Sequence, residues 1–68
     1  MSWKGRRYEY NLKHIGSAEE INMVGNAYQG AGWIEVGFLP EEGPIKVIIF
    51  EWLGDTPPYH PVINSTRR

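Results

Sequence analysis

With 68 residues, no cysteine, two histidines and a net charge of −1, the chain can form one small domain and excludes disulfides and thiolate metal sites. The near-neutral charge supplies no overall field to draw in nucleic acid or an anionic membrane, and no run approaches the roughly 18 apolar residues of a membrane span. A hydrophobic fraction of 41% is enough for a core, but a core this small supplies only about 3–5 kcal/mol, and without disulfides or a metal the staple left is oligomerisation.

The N-terminus, Met1 to Arg7, is not followed by an apolar segment, so a cytoplasmic protein is expected. From Arg6 to Ile15 the pattern alternates, with Tyr8, Tyr10, Leu12 and His14 on one face and Arg7, Glu9, Asn11 and Lys13 on the other. That is a half-buried strand. Gly16-Ser17-Ala18-Glu19-Glu20 then reads as a helix start. Ser17 is placed to accept from the backbone N–H three residues on while Glu20 reaches back, as a capping box, and both acids suit the helix dipole. Ile21, Val24, Tyr28 and Ala31 form one apolar stripe directed at a sheet. Gly25 inside this helix implies either a close approach to the sheet or a local irregularity, and Gly30 and Gly32 end it.

In the next strand, Trp33 to Leu39, strict alternation puts Ile34, Val36 and Phe38 with the helix and Trp33, Glu35, Gly37 and Leu39 outward. Pro40-Glu41-Glu42-Gly43-Pro44 reads as a tight hairpin turn. The last strand, Ile45 to Leu53, is apolar on both faces over most of its length and therefore belongs in the middle of the sheet. The expected fold is α+β: β-α-β-β, a three-stranded antiparallel sheet in the order 1-3-2 with one helix on one face. Residues 1–53 form the domain and 54–68 an extended C-terminal arm, because Pro57, Pro58 and Pro61 remove donors and bias their predecessors to extended backbone.

Tyr8-Glu9-Tyr10 opening a strand, a helix with Asn26 and Tyr28, and Gly32-Trp33 leading into Glu35-Val36 together resemble the domain-of-unknown-function 4177 family of small bacterial and phage proteins. The resemblance runs from about Tyr8 to Trp52 and leaves the arm outside. Ile34, Tyr28 and Gln29 depart from the family pattern, which has Glu, Leu and Gly there. It implies a β-α-β-β fold and transfers no activity.

Little in the chain points to catalysis. Ser2 and Ser65 lie near the ends, Ser17 is explained as a cap, and none has an evident base beside it. The pairs Glu19-Glu20 and Glu41-Glu42 are explained by the helix start and a solvated turn, and the glycines match no nucleotide-binding fingerprint. The expectation is a protein that is not an enzyme, with no metal and no cofactor.

A sheet with one helix leaves its second face bare. That face would carry Ile48, Phe50 and Trp52, or Val47, Ile49 and Leu53 if the helix takes the other set; with Val62 and Ile63 of the arm, the first set makes the expected interface. The leading functional expectation is a homo-oligomeric binding module that takes a small, nucleotide-like ligand between subunits, as a phage-type sequestering protein would. Trp33, Trp52 or Tyr59 would stack on a flat group, and Arg6, Arg7 or His60 would meet phosphate. Packing in the core or an interface is the plainer account of each tryptophan, and solvation that of the terminal basic residues. The alternative is an adaptor or inhibitor docking on a host protein through the bare face or the arm.

Overall fold

The computed structural model describes residues 3–63. The elements run β1 (Arg7–Asn11), α1 (Ala18–Ala31), β2 (Trp33–Leu39) and β3 (Val47–Trp52). The sheet has the order β1-β3-β2 with both pairings antiparallel. The α+β class, the order and the central place of β3 are those expected from an alternating first strand, a capped helix and a two-faced apolar last strand.

At the helix start, Ser17 takes extended backbone (φ −75°, ψ 112°) and its Oγ accepts from the Glu20 N–H at 3.1 Å. The reciprocal half of the expected capping box is not formed. Glu20 instead turns back under the helix, where Oε2 accepts from the Lys13 N–H at 2.8 Å and Oε1 from the His14 N–H at 2.7 Å. The Ser17 N–H is taken by the His14 carbonyl at 3.1 Å. One carboxylate, 5% exposed, thus serves two donors of the bend after β1, which is why that strand ends at Asn11 rather than continuing to Ile15.

The stripe of α1 lies against the sheet as its spacing requires: Val24 and Tyr28 are buried, Ile21 and Ala31 partly so. The helix ends at Ala31, with Gly30 still inside it and Gly32 as the left-handed cap (φ 113°). A Cβ on Gly32 would also meet the Trp52 ring at 3.0 and 3.1 Å. Gly32→Ala therefore combines backbone strain with a clash against a rigid ring, and is expected to lower stability by more than about 1 kcal/mol, read as a reduced urea midpoint. An unchanged midpoint would contradict the cap geometry.

β2 departs from strict alternation. Its register with β3 runs Trp33↔Trp52, Ile34↔Glu51, Glu35↔Phe50, then Gly37↔Ile49 and Phe38↔Ile48, so the chain bulges between Glu35 and Gly37. Before the bulge the faces are the reverse of the expected ones: Trp33 and Glu35 share the helix face with Phe50, and Ile34 and Val36 are exposed. After it, Phe38 returns to the face of Ile48. A bulge inserts one unpaired residue and so flips the parity of everything beyond it. Gly25 leaves room for the Glu35 carboxylate beneath the helix, since a Cβ there would meet it and that side chain would have to shift.

The connection between β2 and β3 is a wider loop than the tight hairpin expected. It spans residues 40–46, is closed by the Lys46 N–H donating to the Leu39 carbonyl at 2.7 Å, and uses Gly43 at φ 91°. Pro40 and Pro44 cannot donate to a ladder, so pairing resumes only at Val47.

The core comprises Leu12, Val24, Tyr28, Trp33, Ile48, Phe50 and Trp52. The helix has taken the Ile48, Phe50 and Trp52 face of β3. These three are therefore not the exposed interface first expected of them: they are 0%, 0% and 4% exposed, in the middle of the core. The uncovered face carries the other set.

Candidate functional site

Two surfaces are built around β3, one on each face of the sheet. On the helix face, beside α1, the aromatic side chains of β1, α1, β2 and β3 form a continuous cluster. The Tyr28 ring stacks on Phe50 at 4.4 Å and 9° and on Tyr8 at 6.0 Å and 7°. Trp33 meets Trp52 edge-on at 5.2 Å. Trp52 is gripped between two glycines, since a Cβ on either Gly32 or Gly54 would come within 3.0 Å of its ring.

Residues 54–63 of the arm close this cluster, packing on their own domain; the rest of the expected arm lies outside the described residues. Trp52 Nε1 donates to the Thr56 carbonyl at 2.8 Å, and Trp33 Nε1 donates to the Tyr59 carbonyl at 2.9 Å. The His60 ring lies 4.4 Å from Tyr8 and 5.4 Å from Trp33, with Nδ1 3.3 Å from the Tyr28 hydroxyl. Two indole N–H groups that would otherwise be buried without partners are thus satisfied by arm carbonyls. Ile63 packs against the core, whereas Val62, expected beside it, is 91% exposed.

The expected ligand residues are only partly brought together. Trp33, Trp52, Tyr59 and His60 meet in this cluster, but the two tryptophans are buried and their N–H groups already engaged, so neither offers a free stacking platform. The Tyr59 side chain points to solvent, 59% exposed. Arg6 covers the Trp3 ring at 4.7 Å. Arg7 lies on the other face of the sheet, 3.6 Å from Glu51. An exposed pair of that kind contributes little to stability. Tyr8 and Tyr28, which bridge the cluster, carried one sequence signal: a tyrosine on a core face needs a partner for its hydroxyl.

Burial, with the neighbouring Tyr8 and Tyr10 phenols adding to it, pushes the Tyr28 hydroxyl up to about 12, and burial raises Tyr10 as well. Between the ordinary tyrosine value of about 10 and this raised value, the folded chain keeps a proton that the unfolded chain has released. The stability this group contributes is complete below pH about 10 and lost as the pH rises through about 12. Tyrosinate absorbance should therefore show a late step coincident with alkaline unfolding, and Tyr28→Phe should reduce its amplitude; a variant with the same late amplitude would place the delayed phenol elsewhere.

The second surface is the sheet face that α1 does not cover. β2 supplies Ile34, Val36 and Leu39, exposed by 40%, 43% and 39%, β3 the half-buried Val47 and Ile49, and the residue just after β3 is Leu53, 51% exposed. β1 supplies a polar margin of Arg7, Glu9 and Asn11, opposite Glu51, Ile49 and Val47. Ile34 and Val36 join this face because of the bulge, for which Gly37 inside a strand was the sequence signal.

Among the described residues no cluster of His, Asp or Glu could hold a metal ion, and no helix is long and apolar enough to cross a membrane. Comparison with protein-family models, with curated proteins and with solved structures finds no match.

Proposed function

We propose that the chain is a non-enzymatic binding module that self-associates through the uncovered sheet face. The observation that supports this reading is the run of exposed apolar side chains at Ile34, Val36, Leu39 and Leu53 beside Val47 and Ile49. Apolar side chains gathered on one sheet face, with Glu51 the charged residue among them, suit a contact. A second copy suits it on two grounds. Pairing two such faces adds the apolar burial that a cysteine-free domain of this size lacks, and the margin carries both signs, so a two-fold axis can set Arg7 of one copy against Glu9 of the other.

A nucleotide-like ligand held at that contact would meet Arg7 at the margin, with the tryptophans on the far side of the sheet. The second reading, an adaptor that docks on a host protein, uses the same apolar face. Native mass spectrometry of the purified protein separates them. Multiples of the chain mass, with or without a small molecule that leaves on denaturation, support the module; a monomer that acquires one host protein supports the adaptor and rejects self-association.

A further inference from the structure

The groove that holds the arm has the chemistry of a peptide site. Its two indole donors meet the carbonyls of Thr56 and Tyr59, three residues apart. Three residues make one turn of a polyproline II helix, in which carbonyls so spaced project to the same side. Thr56-Pro57-Pro58-Tyr59-His60-Pro61 has no hydrogen-bonded regular structure of its own, and its prolines hold φ near −65° and remove competing donors. One residue beyond the second carbonyl, the His60 ring enters the box formed by Tyr8, Tyr28 and Trp33. Aromatic grooves of this type bind extended proline-rich peptides because such peptides are stiff before binding and lose little entropy on it.

The contacts made by the arm do not require its covalent link to β3. Two of them go to backbone carbonyls, which any segment of the same spacing presents, and the third is a ring in a box. We propose that this groove is a recognition site for a proline-rich segment of another protein, of the pattern Pro-Pro-x-His, and that the arm is its resident competitor. The groove lies on the helix face of the sheet, so this site is independent of self-association through the other face.

A tethered arm competes at an effective concentration in the millimolar range, so weakening the arm should strengthen binding in trans. The test uses a fluorescein-labelled peptide of residues 55–63 and the full chain, read by fluorescence anisotropy. His60→Ala empties the box on the cis arm while the peptide keeps its own ring, and is expected to raise the apparent affinity about ten-fold over wild type. Adding Trp33→Phe removes one indole donor and should reverse that gain. Pro57→Gly with Pro58→Gly gives the same comparison without touching the groove or any ring, because it loosens only the unbound arm.

The proposal is overturned if folded His60→Ala and the glycine pair bind the peptide no more tightly than wild type, or if a proline-free peptide of scrambled order binds equally well. It is overturned as well if the copies only exchange arms, seen as a wild-type oligomer that His60→Ala dissociates while the peptide binds neither form.

Discussion

Phe50→Ala is expected to leave the chain unfolded at 25 °C. Phe50 is fully buried at the centre of the middle strand, with Tyr8 and Glu35 as its cross-strand neighbours and the Tyr28 ring stacked on it at 4.4 Å. Truncating a buried phenylalanine removes its transfer free energy and leaves a cavity, together costing about 3–5 kcal/mol. A single core in a domain this short supplies about the same amount. Far-UV circular dichroism should show loss of the folded signal, and no cooperative urea transition should be left. A variant that still unfolds cooperatively, with less than about 1 kcal/mol lost, would contradict the placement of Phe50 beneath the helix.

Glu20→Ala is expected to have the next largest effect, about 2–4 kcal/mol, although it removes no apolar packing. The two N–H groups of Lys13 and His14 lose their carboxylate acceptor in a part-buried bend, and hydrogen bonds to a charged group are each worth about 1.5–3 kcal/mol without being fully additive. Ser17→Ala, which removes only the cap acceptor of one helix N–H, should cost about 1 kcal/mol by comparison. Urea titrations at unchanged slope read both. Equal losses for the two variants would mean that Glu20 acts only as a member of the helix cap and does not hold the bend.

The contrast between these residues shows what could be read before the structure. Helix position, stripe and cap followed from local chemistry, because Ser17, the acidic first turn, the spacing of Val24 and Tyr28, and Gly32 each have a short-range physical cause. The central place of β3 followed from its being apolar on both sides. Which side met the helix did not follow, since each face of the last strand is apolar apart from one charged residue, Lys46 beside Ile48-Phe50-Trp52 and Glu51 within Val47-Ile49-Leu53, and the choice depends on tertiary packing. The same holds for β2, where strict alternation fails at one unpaired residue and exchanges Ile34 and Val36 for Trp33. Gly25 marks a close approach or an irregularity without saying what occupies the space.

The candidate site divides in the same way. His60 and Tyr59 stand out in the sequence as aromatic or basic residues near prolines, but their partners Tyr8, Tyr28 and Trp33 come from three elements and meet only in the folded chain. The local pattern at Glu20 is that of a reciprocal cap, and its longer reach to Lys13 and His14 depends on the bend after β1.

The central claim, that the uncovered sheet face is a contact between copies, is tested most directly by light scattering after gel filtration on wild type and Ile34→Lys. Ile34 lies on that face directly across from Glu51, so a lysine there gains an oppositely charged cross-strand neighbour and leaves the core untouched. The account predicts an oligomeric wild type and a monomeric variant with the same circular dichroism spectrum. A monomeric wild type, or an oligomer that Ile34→Lys leaves intact, would contradict it.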